Sequence, residues 1–417
     1  MKKHILVIAQ YFYPEQFRIN DICTEWIKRG YKVTVITGIP NYPRGKYYKG
    51  YGLFKKMKET YNGIRIIRIP LIPRGKNAIM MVLNYISFVV SGFFWSLLTN
   101  IKADLVFIYE VSPMTQALPG VWYSGRKKIP CYLYVTDLWP ENVEIVAGIK
   151  NKIVLNAIGA MVDYIYKRCD KIFTSSRSFI KAINERGVEL DKLEFWPQYA
   201  EDYYRPLEKE AVKVPHILQD GTFNIIFAGN IGMAQGLEIL PDVAKLLMEK
   251  KVRVRFNIVG DGRYKSALIS KVSDYGVTEL FNFIDSQPAS KISEYMAVCD
   301  ATLISLAKSK VFSITIPAKT QSCMACGIPI IVSADGEVQE IITEANAGLC
   351  SDAGDIKGLV QSIQTLVSLS RESLSEMAEN SRDYYEANFD KKKLLDRMDR
   401  WFDNTGEKNG AKEHVQK

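Results

Sequence analysis

A chain of 417 residues suggests two or three domains, and 47% hydrophobic with 24% charged residues supplies enough apolar material for full cores. The 55 Lys and Arg against 46 Asp and Glu leave a net charge of +9, and the stretch from Arg44 to Lys76 alone carries ten basic residues against Glu59. Charge concentrated there disfavours a general nucleic-acid coat and favours one localised anionic partner.

In chain order, His4 to Ala9 is a short apolar run, followed by a Pro/Glu loop, a helical stretch through Cys23, Trp26 and Ile27 with a stop at Gly30, and a second apolar run from Tyr31 to Thr37. This βαβ pattern predicts parallel strands covered on both faces. Further strands are predicted at Ile64 to Ile69, Leu105 to Tyr109, Cys131 to Thr136 and Lys171 to Thr174. A second series starts with Phe223 to Ala228, continues through a helix from about Leu237 to Lys250 and a strand at Arg253 to Val259, and adds strands at Phe281 to Ile284, Ala301 to Ser305 and Pro329 to Ser333. The fold class is therefore α/β with two doubly wound, Rossmann-like halves. Two facing sheets of this kind bind ligands beyond their strand ends, in a central cleft. The expected domains are 1–200 and 201–390, with a C-terminal helix at 391–404 that packs onto a domain, the N-terminal one being a candidate, and a polar, disordered tail at 405–417.

Between these strands, Asn77 to Ile101 holds 25 residues without a charge. Its length suits a membrane span, but strands of one sheet stand on either side of it and cannot pair across a bilayer. Two readings stay open: a buried core helix, or a helix lying in one leaflet with Asn84, Ser87 and Ser91 toward protein. Upstream, six basic residues between Arg44 and Lys58 alternate with Tyr47, Tyr48, Tyr51 and Phe54, a composition suited to an anionic membrane surface.

Seven unpaired cysteines and the absence of a cleavable apolar leader at the start point to the reducing cytoplasm. The Cys323-x-x-Cys326 pair has no partner pair for zinc, and three histidines leave little material for a histidine triad or metal centre, so no metal is expected.

The glycine-rich segment Phe227 to Gly236 runs from a strand into a helix, where backbone amides suit phosphate oxygens. Gly260-Asp261-Gly262 ends the next strand, and Pro317-Ala318-Lys319, Ala325-Cys326-Gly327-Ile328-Pro329 and Gly336-Glu337-Val338-Gln339-Glu340 follow. These loops would converge on a nucleotide diphosphate, contacted by Gly229, Asn230, Gly232, Gln235, Gly260 and Asp261. Lys319 neutralises its charge, Glu340 is the candidate for the ribose hydroxyls, and Glu337 joins the same nucleotide-binding set. In the first half, Asp137 and Glu141 follow a strand and are candidates to receive the proton of an acceptor hydroxyl, with Glu110 and Glu15 in similar strand-end positions. The plainer readings are a helix cap for Asp137, a solvated Glu141 and ordinary turn or surface carboxylates for Glu110 and Glu15.

With Tyr11-Phe12-Tyr13-Pro14-Glu15 in the first half, this order of motifs resembles the family-4 retaining glycosyltransferases of the GT-B fold, over nearly the whole chain. Phe227 to Gly236, Ile316 to Lys319 and Ala334 to Glu337 resemble the bacterial L-fucosamine (N-acetylfucosaminyl) transferase-like branch. The resemblance implies a UDP-sugar donor, with an N-acetylated amino sugar, and a polyprenyl-diphosphate-linked saccharide acceptor for capsule or O-antigen synthesis. It also implies a peripheral place on the inner face of the cell membrane. Asn230 and Gln235 stand where many members carry Arg and Lys, and Ile314 and Ser322 where many carry a glutamate pair. Phosphate gripping then rests on Lys319, amides and Arg18 or Arg177. A first-domain histidine of the family is replaced by Thr136. The implied reaction retains anomeric configuration, with the leaving phosphate taking the acceptor proton, and the chain has no D-x-D triplet for a metal-bridged diphosphate. Two rivals stay open: a nucleotide-sugar epimerase of the same architecture, and a non-catalytic membrane-docked partner of an assembly complex.

Overall fold

The structure, a computed structural model, describes residues 2–75, 77–146, 149 and 151–404. The chain divides into two units, residues up to 196 together with 398–404, and Pro197–Arg397. The tail at 405–417 lies outside the described residues.

The first unit is built on β1 (His4–Ile8), β2 (Lys32–Thr37), β3 (Lys58–Tyr61), β4 (Ile64–Arg68), β5 (Leu105–Glu110), β6 (Cys131–Val135), β7 (Lys171–Thr174) and β8 (Leu193–Phe195). They form one sheet in the order β3-β4-β2-β1-β5-β6-β7-β8, parallel except for β3. Its helices are α1 (Arg18–Lys28), α2 (Ala78–Leu98), α3 (Leu118–Lys127), α4 (Glu141–Val146), α5 (Lys152–Arg168) and α6 (Arg177–Asn184). Every residue of β5 and β6 is buried, as expected for strands covered on both faces.

The second unit holds β9 (Phe223–Ala228), β10 (Val254–Val259), β11 (Phe281–Ile284), β12 (Ala301–Ser305), β13 (Ile330–Ser333) and β14 (Gly348–Ser351), all parallel, in the order β11-β10-β9-β12-β13-β14. Around them lie α7 (Leu240–Glu249), α8 (Lys265–Asp274), α9 (Ile292–Ala297), α10 (Lys310–Ser313), α11 (Ala318–Cys326), α12 (Glu337–Glu344), α13 (Ile356–Ser368), α14 (Arg371–Asn388) and the start of α15 (Lys391–Asp403). The predicted helix at Leu237 begins instead as a tight 3-10 turn, and the α-helix proper starts at Leu240, where Pro241 suits the first turn. Strand order reverses beside β1 in the first sheet and β9 in the second, and these are the places where an open parallel sheet leaves room for a ligand.

The unit boundaries differ from the expected 200/201 and 390/391. Ala200 belongs with the second unit because its N–H and C=O both meet the Tyr385 hydroxyl at 3.3 Å. The last turns of α15 belong with the first unit. There Phe402 is fully buried against Trp26 at 5.2 Å and Tyr31 at 5.6 Å, and Arg29 pairs with Asp399 at 3.0 Å.

In the second sheet a row of asparagines crosses three strands. Asn257 on β10 donates to Asn224 Oδ1 on β9 at 3.0 Å and accepts from Asn282 on β11 at 2.9 Å, while Asn282 also donates to the His216 carbonyl. Asn257 is fully buried, so its loss strands the buried Asn224 carbonyl oxygen, while Asn282 keeps the His216 carbonyl. We predict that Asn257→Ala lowers stability by about 2–3 kcal/mol in urea unfolding. A change below about 0.5 kcal/mol would show the row to be dispensable.

The uncharged stretch is the 21-residue helix α2, whose side chain-capped start at Asn77 accepts from Met80 N–H. Asn84, Phe88, Gly92 and Ser96 repeat every four residues and form its buried stripe. Gly92 is needed there, since a Cβ would lie 2.2 Å from Pro119 at the start of α3. The opposite stripe, including Ile79, Ile86, Phe94 and Leu98, is exposed. By length and composition α2 would reach across a bilayer, and only 17% of its most apolar window is buried. With β4 before it and β5 after it in one sheet, a crossing is excluded.

Candidate functional site

The glycine loops of the second unit meet at the carboxyl ends of β9, β10, β12 and β13. The Gly229 N–H donates to the Val259 carbonyl at 3.0 Å, and the Ile231 N–H donates to the Asp261 carbonyl at 2.8 Å. Gly229, Gly260 and Gly262 all hold a backbone that disfavours side chains, with φ of 146°, 147° and 159°. A Cβ on Gly260 would lie 1.9 Å from the Gly229 oxygen, and one on Gly262 2.2 Å from the Ile231 oxygen. Gly236 packs against the Leu306–Ala307 backbone beyond β12, and Gly336 against the Ser313 carbonyl. Four loops are thus drawn into one backbone-lined cradle.

Lys319, in the first turn of α11, points into this cradle. Its ammonium donates to Gln235 Oε1 at 2.9 Å and lies 3.9 Å from the centre of the Phe227 ring. A Cβ on Gly229 would lie 3.6 Å from it, an ordinary contact, so glycine there answers to its φ of 146° rather than to the ammonium. Burial pushes the Lys319 pKa down to about 8, because the charge lacks a carboxylate neighbour. Desolvation without a counter-charge is the electrostatic signature of a group awaiting an anion. Asn230 and Asp261 are exposed at the rim, and Gly232 turns tightly against the Asn230 amide. Asp261 accepts from Gly262 N–H. In α12, Glu337 is buried and Glu340 is exposed one turn on, beginning from Gly336 at φ 76°. All nine residues expected to touch the nucleotide therefore gather at this end of the sheet.

The four carboxylates expected to face an acceptor all lie in the first unit. Glu110 ends β5 fully buried, and its Oε2 accepts from the Asp137 N–H at 3.3 Å. Burial, then the Asp137 charge, pushes the Glu110 pKa well above the ordinary carboxyl range. The second Glu110 oxygen is buried without a hydrogen-bond partner among the described residues. Asp137 is less buried and does not cap a helix; its Oδ2 accepts from Ser112 N–H at 2.7 Å, and Trp139 donates to the Ser112 hydroxyl. Glu141 opens α4, with one buried oxygen lacking a partner among the described residues. A cavity of ≈ 400 Å³ opens beside it, lined also by Glu144, Gly159, Asp163 and Arg186.

Glu15 has a different position. Its Oε1 accepts from the N–H groups of Asn41 at 2.7 Å and Tyr42 at 2.6 Å, tying the loop after β1 to the loop after β2. Burial lifts its pKa to about 7 despite these amides and the Arg68 charge. Arg18 and Arg177 are the first residues of α1 and α6, and Arg177 lies over the Phe195 ring at 5.4 Å.

Tyr166 was not legible as a site residue. Its hydroxyl is buried with no partner among the described residues, and after burial its pKa responds to Glu110, Arg186 and Glu141. Fifty-six residues separate it from Glu110, and no local pattern marks it. Among the described residues no group of three or more His, Cys, Asp or Glu side chains is arranged to hold a metal ion. Cys323 and Cys326 are both buried free thiols.

Residues 208–384 match the family Glycosyl transferases group 1. The chain is 26% identical over 415 residues to the putative colanic acid biosynthesis glycosyl transferase WcaI of Escherichia coli K12, covering 94% of this chain and 97% of that protein. Among solved structures it resembles sucrose-phosphate synthase from Thermosynechococcus elongatus, with TM-score 0.74, 14% identity, and 97% and 99% of the two chains covered. It also resembles Anabaena HepE in complex with UDP and glucose, with TM-score 0.71, 15% identity, and 96% and 100% covered. The chain is a glycosyltransferase with the two Rossmann-like domains of the GT-B fold, and the family match falls within its second unit.

Proposed function

We propose that this glycosyltransferase moves an N-acetylated amino sugar from a UDP-sugar to a polyprenyl-diphosphate-linked saccharide, with retention of configuration, in bacterial surface-polysaccharide synthesis. The observation that carries the reading is the desolvated Lys319 ammonium inside a cradle of glycine loops, a site matched to a diphosphate leaving group. As the sugar C1–O bond to UDP breaks, negative charge grows on the β-phosphate. Lys319 would stabilise it, and the acceptor hydroxyl gives its oxygen to C1 and its proton to that phosphate. Asp137 would orient the hydroxyl.

HepE, at 15% identity, was solved with UDP, with UDP-glucose, and with UDP and glucose, and WcaI is named for colanic acid biosynthesis; both lend support to a UDP-sugar and a surface polysaccharide. The exposed apolar stripe of α2 and the basic residues from Arg44 to Lys58 support docking on the inner face of the cell membrane.

A panel of nucleotide sugars, incubated with the protein and extracted membrane lipids and read by mass spectrometry, tests the proposal. A lipid-linked product from a UDP-N-acetylamino sugar is expected. A free isomerised nucleotide sugar would replace the proposal with an epimerase, and no turnover of any donor would replace it with a non-catalytic partner.

A further inference from the structure

Two arginines of the first unit lie close together in sequence but in opposite electrostatic states. Arg68, at the end of β4, is sealed: its side chain is fully buried, it pairs with Glu59, and it donates to the Tyr13 carbonyl at 2.8 Å. Arg74 has no carboxylate partner among the described residues. Its guanidinium lies 5.4 Å from the centre of the Tyr42 ring and 6.0 Å from that of Tyr85, and among the described residues its side chain donates only to the Met81 sulfur at 3.4 Å, a weak acceptor. A partly exposed fork of N–H donors between two aromatic rings keeps nearly all its capacity for a planar pair of anionic oxygens.

The group is held in place rather than floating. The Arg74 N–H donates to Asn41 Oδ1 at 2.9 Å, and the same Asn41 and its neighbour Tyr42 give their own N–H groups to Glu15. Tyr85 projects from α2 one turn after Met81. Burial pushes the Tyr85 hydroxyl pKa up, Arg74 pulls it back, and Asp137 pushes it up again. Along the adjacent side of α2, Val82, Ile86, Val90 and Phe93 are 42–53% exposed. An unpaired cation thus stands at the head of an exposed hydrocarbon track.

We propose that Arg74, framed by Tyr42 and Tyr85, holds the diphosphate of an isoprenoid-diphosphate-linked acceptor, whose tail lies along Val82, Ile86, Val90 and Phe93. The charge complementarity favours this occupant over a neutral lipid, and the single narrow cation favours it over a diffuse phospholipid surface, which the exposed lysines between Lys46 and Lys58 already suit. The site rests on the acceptor class proposed above and adds the residues that take it.

Binding of farnesyl diphosphate to the full chain, followed by calorimetry, tests the assignment, with UDP binding as the measure of an intact fold. Farnesyl diphosphate should bind at least tenfold more weakly to Arg74→Gln, and to a lesser degree more weakly to Arg74→Lys, which keeps the charge but loses the fork. UDP affinity should hold in both variants. Farnesol or inorganic pyrophosphate alone should bind more weakly than the diphosphate ester. Unchanged farnesyl diphosphate affinity in Arg74→Gln overturns the site, as does equal affinity for farnesol. A loss confined to phosphatidylglycerol vesicles would also overturn it, by assigning Arg74 to bulk lipid. Arg74-dependent binding without sugar transfer from any donor would leave this site standing and remove the function proposed above; transfer to a lipid-linked acceptor that ignores Arg74 would do the reverse.

Discussion

Replacing Lys319 by Ala should weaken UDP binding by roughly tenfold to 100-fold, the range set by about 1.5–3 kcal/mol for a hydrogen bond to a charged group and about 1.4 kcal/mol per decade of affinity. The same change should leave thermal stability level or raise it. The folded protein holds the ammonium at a disadvantage, with its pKa lowered from 10.5 to about 8 by burial. In the window from about 8 to 10.5 the unfolded chain keeps the proton and the folded chain does not, so this group adds stability as pH rises through the window. Below about 8 the full penalty of the buried charge is present, and removing the charge relieves it. Binding and folding should therefore move in different directions, which a merely structural lysine would not do. Above pH 8, UDP binding should also take up a proton, detectable by calorimetry in two buffers of different ionisation enthalpy. Unchanged affinity in Lys319→Ala would remove the residue from the donor site.

The second large effect is expected from Gly260→Ala. The residue sits at φ 147°, and the new Cβ would lie 1.9 Å from the Gly229 carbonyl oxygen. Backbone cannot swing aside as a side-chain tip can, so the loop after β9 must move, and with it the Gly229 peptide against which Lys319 rests. A cost of about 3 kcal/mol in stability is expected, with loss of measurable UDP binding. Gly276→Ala is the internal control: it too has positive φ, 68°, but nothing lies within 4 Å of its Cβ position. It should cost about 1 kcal/mol and leave UDP binding intact. Equal effects from the two substitutions would show that conformational strain, not contact between the two loops, dominates at Gly260.

The buried parallel strands were legible because two-sided burial demands continuous apolar runs, as in Leu105 to Tyr109 and Ile225 to Phe227. The strands that escaped notice have the opposite chemistry. β3 reads Lys-Glu-Thr-Tyr and has no fully buried residue, β8 is three residues long, and β14 carries Gly348, whose missing side chain makes room for the Ile330 carbonyl. All three are edge strands that borrow their conformation from a neighbour. The glycine loops were legible for the reason they work, since only close backbone approach explains glycine at the ends of successive strands. Glu15 was legible as a strand-end carboxylate, but its engagement by the Asn41 and Tyr42 amides depends on a loop 26 residues away. Arg74 was hidden within a basic stretch whose ten charges look alike in sequence. Which of them is sealed like Arg68 and which is left facing two tyrosines is decided only by tertiary packing.

The placement of Phe402 has a consequence for biogenesis. Residues 197–397 are contiguous, so that lobe has all its sequence before Phe402 is made. The amino-terminal lobe does not: Trp26, Tyr31 and Phe107 share an aromatic nest completed only by Phe402, a ring made after the whole of residues 197–397. On the ribosome the segment made first should therefore be the last to consolidate, waiting in a loosened state whose open socket is a natural handle for chaperones.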